Sequence, residues 1–312
     1  MKKRIITALI LAFILLPAAI MPSLYEVFQI LLIIFTIIGA VELLNMYDKE
    51  KKVTLPIKIL AVLLTLVLYS AILNRFKEAA ADTLIIMLLD RMHLSEALNP
   101  ATALIGIFIV LMSAMVFVKD FDVKDIGKLY TSIIYVGVGA GALTVLRFYG
   151  VRLMVYVLLM AMITDIFALV FGMTLGKHKM APNISPKKTW EGAIGGTCVA
   201  VIVGFLFLYF YPSFSSVFHD GLEIEFFHGI FNYDIFTKSG KIVFLLGLSL
   251  ALSVCGQIGD LIASKLKRAY GIKDYSNIFP GHGGVLDRFD STFFASAIFL
   301  LFIIIESGLF PC

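Results

Sequence analysis

Cysteine is scarce in this 312-residue chain. Cys198, Cys255 and Cys312 are scattered, with no C-x-x-C pair and no histidine partner at ligand spacing. That argues against a structural zinc site and against a disulfide framework, and leaves each cysteine as a small apolar filler. His93, His178, His219 and His228 likewise show no ligand spacing and read as loop residues. Charge is also sparse. Asp, Glu, Lys and Arg make up 15% of the chain, against about 25% in a soluble domain. No G-x-x-x-x-G-K-[ST] run occurs, which disfavours a P-loop ATPase. No internal repeat stands out, and Trp190 is the only tryptophan.

Apolar residues are what the chain has in excess. They make up 60% of it, with a mean hydropathy of +0.96, and this composition marks an integral membrane protein. A span needs roughly 20 apolar residues. About nine runs qualify on that principle: Ile5–Met21, Val27–Met46, Leu55–Asn74, Ala101–Val118, Leu129–Leu146, Val151–Leu175, Gly192–Tyr211, Ile242–Asp260 and Thr292–Phe310. The opening Met1-Lys2-Lys3-Arg4 and its apolar run look like a signal peptide but lack a polar cleavage region, so the run reads as an uncleaved first span. Asp82–Leu98 holds an apolar patch too short to cross and reads as a short interfacial helix. Phe214–Lys241 reads as a mixed loop outside the hydrocarbon. The expected fold is all-α and polytopic. It divides into an N-terminal region, 1–128, of about four spans and a C-terminal region, 129–312, of about five.

Nine spans put the N-terminus on the same side as four later loops. That side collects well over half of the 26 lysines and arginines. The bias places it in the cytoplasm.

One polar stretch between two oily ones organises the rest. Gly259–Ser291 reads GDLIASKLKRAYGIKDYSNIFPGHGGVLDRFDS. Insertion rules alone account for Lys265, Lys267, Arg268 and Lys273. They do not account for Asp260, Asp287 and Asp290, or for glycines bracketing His282. Carboxylates beside cations, with a glycine-rich turn, are the ingredients of a metal–phosphate site. A second stretch, Gly176–Gly196, lies on the same predicted side and contains Ser185-Pro186-Lys187-Lys188-Thr189-Trp190-Glu191. Ser185 and Pro186 predict a helix start, since serine caps and proline suits the first helical position. Lys187 and Lys188 at such a start would attract phosphate. Trp190 reads equally well as an interfacial anchor.

Asp165 lies inside an apolar run, where an ionisable residue is costly and points to function. It falls in the cytoplasmic half of its span. Asp260 closes its span on that side, Glu191 opens another, and Asp287 and Asp290 precede the last. Oxygen donors in such a cluster suit magnesium, which is often shared with substrate phosphates. Glu42, near the cytoplasmic end of its span, reads as a partner for a neighbouring lysine.

The run from Ser264-Lys265-Leu266-Lys267-Arg268 through Lys273-Asp274 to Pro280-Gly281-His282-Gly283-Gly284-Val285-Leu286-Asp287-Arg288-Phe289-Asp290 resembles the signature of phosphatidate cytidylyltransferases, also called CDP-diacylglycerol synthases. Ser185–Gly192 is similar to a second block of that family. One departure is Leu169, where the family often has an aromatic residue four positions after the aspartate here numbered Asp165.

The resemblance implies a metal-dependent nucleotidyltransferase of phospholipid biosynthesis. CTP and phosphatidic acid would give CDP-diacylglycerol and pyrophosphate. The nucleophile would be an ionised phosphate oxygen, so the lack of a Ser/His/Asp or Cys/His constellation is expected. Lys267, Arg268, Lys273 and Arg288 would neutralise phosphates, with Lys187 and Lys188. His282 would donate to a phosphate or orient the turn. Gly283 and Gly284 would let backbone N–H groups approach an oxygen. Ser185, Thr189, Glu191 and Ser264 complete the expected substrate-binding set. Asp260, Asp287 and Asp290, with Asp165, would hold Mg2+, and a second metal ion is allowed. The expected location is the cytoplasmic membrane of a bacterium, with the site facing the cytoplasm by the lysine and arginine bias. The resemblance leaves room for a homodimer and gives no role to nucleic acid. Two other readings stay open: a CTP-dependent transferase or kinase for another membrane lipid, and a transporter. Against the transporter, the acids gather at one face rather than at matched midplane positions of two halves.

Overall fold

The computed structural model describes residues 17–21, 24–77, 84–214, 238–279 and 283–309. Most of the first expected span, most of the loop 214–241 with His219 and His228, and His282 lie outside the described residues. Among the described residues, eight helices are long and apolar enough to cross a membrane. They match the other eight runs expected from hydropathy. The polypeptide separates into two compact units, Met1–Phe148 with Ala269–Phe289, and Tyr149–Arg268 with Asp290–Cys312.

The first unit holds α1 (Tyr25–Tyr47), α2 (Leu55–Arg75), the short α3 (Leu84–Arg91), α4 (Pro100–Phe117) and α5 (Val123–Phe148). Residue 128, where hydropathy alone divides the chain, lies within α5. Helix starts are written locally. Thr54 precedes α2 in extended backbone and Pro56 occupies its first turn. Asn99 Oδ1 accepts from the N–H groups of Ala101 and Thr102, and Thr102 Oγ1 accepts from that of Asn99, a capping box for α4. Asp122 and Asp125 form the equivalent box at α5, at 3.0 and 3.1 Å. Helix α5 packs on α1 and α2 and carries the most buried span. Tyr69 is wholly buried, and its hydroxyl meets Thr144 Oγ1 at 3.0 Å. A buried phenol needs such a partner in a membrane interior.

The second unit holds α6 (Val151–Thr174), a hairpin of β1 (Lys179–Ala181) and β2 (Ser185–Thr189), α7 (Trp190–Phe214) and α8 (Lys238–Ala269). Helix α9 (Leu286–Leu309) starts in the first unit and runs on in the second. Polar side chains tie α6, α7 and α8 together. Tyr156 meets Ser249 at 2.8 Å, Thr164 meets Ser253 at 2.8 Å, and Gln257 Nε2 donates to Thr197 Oγ1 at 2.7 Å. Membrane helices gain little from the hydrophobic effect between themselves, so such bonds supply the adhesion. Ile166, Leu169, Ile202 and Leu250 are exposed, as side chains facing lipid would be.

Three local expectations change. Ser185-Pro186 begins a strand, not a helix. The cap lies at Thr189, whose Oγ1 accepts the Gly192 N–H at 3.2 Å, and α7 starts at Trp190. Lys187 and Lys188 therefore ride on a strand. Asp260 does not end its helix, because α8 continues to Ala269. At 32 residues and 1.5 Å rise it is roughly 48 Å long, well beyond about 30 Å of hydrocarbon. The Ser264–Arg268 block is therefore helical. The last helix starts at Leu286 rather than Thr292, so Asp287 and Asp290 are helical residues one turn apart.

Candidate active site

The second unit gathers charges around Asp260. Lys188, from β2, forms an ion pair with Asp260. Ser264, one turn further along α8, points its hydroxyl at Asp260 Oδ1 over 3.4 Å. A further turn of α8 brings Lys267, whose Nζ lies 3.9 Å from Asp290 Oδ2. Lys267 and Asp290 are 8% and 7% exposed, so this is a buried pair of opposite charges. Asp290 also lies within electrostatic reach of Asp260 and Asp165. Three acids and two lysines thus share one neighbourhood. Arg268 Nε points at the Ile184 carbonyl over 3.4 Å, linking the end of α8 to the hairpin. Lys187 is exposed on the hairpin beside Lys188.

Other expected substrate residues hold the scaffold. Thr189 caps α7. Glu191, in the first turn of α7, accepts from the N–H groups of Lys177 and His178 and meets His178 Nδ1 at 2.5 Å. That contact ties the segment entering the hairpin to α7. Ser185 is half-buried at the start of β2.

The first unit contains the glycine turn. Asp287 Oδ2 accepts from the N–H of Tyr275 at 2.8 Å and of Gly284 at 2.9 Å. Glu42 comes from α1. Its Oε1 accepts from Ser276 Oγ at 2.5 Å and from the Val285 N–H at 3.0 Å. Its Oε2 accepts from the Leu286 N–H at 2.8 Å. Glu42 is 2% exposed, and among the described residues its partners are Ser276, Val285 and Leu286 rather than the lysine expected for it. An acid inside an apolar run was the only signal for it in the sequence.

These carboxylates explain both glycines. Gly283 has φ of +84°, and a Cβ there would lie 2.8 Å from Asp287 Oδ2. A Cβ on Gly284 would lie 2.3 Å from Glu42 Oε1. The Gly284 N–H does approach an oxygen, but that oxygen is the protein's own. Lys273 and Arg288 are exposed. Outside the spans, burial pushes the Tyr270 hydroxyl pKa upward; its ring packs edge-on against Tyr47 at 5.2 Å.

A model of the cytidylyltransferase family matches residues 2–305. The chain belongs to this family. Its curated relatives include a phosphatidate cytidylyltransferase of Staphylococcus aureus (strain COL), 34% identical over 94% of this chain and 95% of the relative. Proteins of the same name from Staphylococcus haemolyticus and Staphylococcus epidermidis are 37% and 32% identical. The first match covers 62% of this chain and 65% of the relative, the second 94% and 95%. Membership makes the chain an enzyme of nucleotidyl transfer.

Among the described residues, no three acidic, histidine or cysteine side chains stand together as a ready metal site. The chemistry of the second unit nevertheless suits a hard divalent cation. Asp290 is buried, and two further carboxylates act on it. Such crowding of negative charge at low dielectric is costly without cations. The donors are all oxygens, the kind magnesium prefers.

Proposed function

We propose that this chain transfers CMP from CTP to phosphatidic acid, giving CDP-diacylglycerol and pyrophosphate. The near-full-length likeness to curated phosphatidate cytidylyltransferases carries the reading. In this reaction a phosphate oxygen of the lipid attacks the α-phosphorus of CTP. A new P–O bond forms, the bond to the β-phosphate bridging oxygen breaks, and the electron pair leaves with pyrophosphate. The attacking oxygen is already ionised, so no side chain has to remove a proton.

The obstacle is the approach of two polyanions. Lys188 and Lys267 place positive charge beside the carboxylates, and Lys187 and Arg268 add exposed charge to the same unit. Fixed cations of this kind stabilise charge on the leaving phosphate without reorganising. Asp260 and Asp290, with Asp165, would hold Mg2+. When bound, the ion neutralises phosphate oxygens and orients the nucleotide. Asp287 keeps the glycine turn in place through Oδ2, and the resemblance also assigns it to the metal. The lysine and arginine bias places this chemistry at the cytoplasmic face. A homodimer is compatible with the reading and not required by it.

The test is purified full-length protein in detergent with Mg2+, labelled CTP and a panel of lipid phosphates. Phosphatidic acid is expected to yield labelled lipid and pyrophosphate in equal amounts. Label transfer to a different lipid alone would replace the substrate. No pyrophosphate with any lipid phosphate would end the reading.

A further inference from the structure

Glu42 belongs to α1, more than two hundred residues before the glycine turn, in the half of the chain where no motif was found. It is nearly inaccessible, and its three donors among the described residues come from the loop and turn before α9 and from the start of α9. A buried carboxylate is an expensive way to stabilise a helix start. A serine or asparagine cap would satisfy N–H groups at less desolvation cost. Buried ionic groups are poor sources of net stability, and their better-attested use is to enforce one arrangement among several. The geometry here has that character. Glu42 lies against Gly284 and Asp287 against Gly283, and both glycine positions leave no room for a Cβ. The α9 start also favours negative charge through the helix dipole, so the acid is held where it is.

We infer that Glu42 is a positioning residue for the cytidylyl-transfer reaction, clamping the Gly283-Gly284 turn and thereby fixing Asp287 and Arg288 at the start of α9. This rests on the transferase reading above. Its contacts are with the protein's own turn, so on this inference Glu42 acts through the turn.

Glu42→Gln tests it. The amide has the same shape but one acceptor oxygen, and its NH2 would face a donor. At least one of the Val285 and Leu286 N–H groups or the Ser276 hydroxyl then loses its acceptor. Supporting groups of this kind change activity by roughly 10- to 100-fold when altered. A fall in kcat of about that size is expected, with KM for CTP changed by less than about threefold, since the side chain does not bind nucleotide. Hydrogen exchange at the 283–290 amides should quicken while the exchange of α2 and α5 stays as in the wild type. Ser276→Ala removes one donor and should shift both readouts in the same direction by less. Wild-type kcat and unchanged exchange in Glu42→Gln would overturn the proposal, as would an activity loss that matches the loss of folded protein. If Glu42→Gln does not fold, Ser276→Ala decides: a lower kcat in folded protein supports the clamp, and a wild-type kcat overturns it. Should the wild type itself transfer no CMP, the function reading fails, while the exchange measurement still reports on the clamp.

Discussion

The Asp287→Asn variant keeps an oxygen for the N–H groups of Tyr275 and Gly284 while removing the charge. If Asp287 only held the turn, activity would survive. The resemblance assigns it to the metal as well, so kcat is expected to fall at least about 100-fold with a melting temperature near the wild type. Near-normal activity with unchanged Mg2+ dependence would remove Asp287 from the metal site. Lys267 calls for a different pair of variants. Lys267→Met leaves Asp290 buried beside two other carboxylates. Removing one partner of a buried pair costs roughly 3–5 kcal/mol, and the 3.9 Å separation puts this pair at the low end. The double variant Lys267→Met/Asp290→Asn should regain most of that stability and none of the activity. Equal melting temperatures for the single variant and the wild type would show that the pair is not structural. Much of this was legible in the sequence, because charges inside apolar runs are rare and each has a reason. What was not legible is partnership. Glu42 read as a partner for a nearby lysine because neighbours in sequence were the only ones in view, and its actual donors lie on a distant turn.

At the scale of elements, hydropathy located the spans well and their polar ends poorly. Apolar runs mark where a helix crosses lipid, not where it stops. Helix α8 continues nine residues past Asp260, since Leu, Ile, Ala and Lys there favour helix and nothing breaks it. Helix α9 begins six residues before Thr292 because Glu42 and Asp287 supply acceptors at its start, which hydropathy cannot register. The Ser185-Pro186 pair carried a true helix-start signal that the β1–β2 pairing overrode, with Thr189 providing the cap instead. The cap of α5 offers a pH test. The N–H of Asp125 does most to hold the Asp122 carboxyl below its ordinary pKa of 3.8; burial opposes it, and the Lys124 N–H and nearby lysine charges add to it. A lowered folded value means the cap contributes fully above 3.8 and is lost as pH falls through the lower folded pKa. Asp122→Asn can still cap but does not titrate. The wild type's advantage in melting temperature over this variant should therefore shrink as pH drops below the ordinary carboxylate range. A constant difference across that window would mean that the Asp122 charge plays no part.

For the whole molecule, the question is which side of the membrane carries the charge. The lysine and arginine bias gives an expectation by a rule about insertion, and the fold says which charged segments must share a side. The β1–β2 hairpin and the end of α8 belong to one unit, joined by Lys188–Asp260 and by Arg268 on Ile184. Both would then face the same aqueous phase, and the bias makes the cytoplasm the expected one. The turn after α3, with His93 at φ of +55°, falls on the opposite side by span parity. Single cysteines at 187, 265 and 93 test this in a background where Cys198, Cys255 and Cys312 are alanine. Lys187 and Lys265 are exposed, as is His93, so a polar thiol reagent can reach each site without unfolding the chain. In intact cells, a membrane-impermeant maleimide should label the cysteine at 93 and spare those at 187 and 265. After permeabilisation all three should react. Protection of 93 with labelling of 187 and 265 in intact cells would invert the topology and place the acidic and basic cluster away from cytoplasmic CTP. Labelling of 187 but not 265 would contradict the ion pair and the hairpin contact that join these two segments.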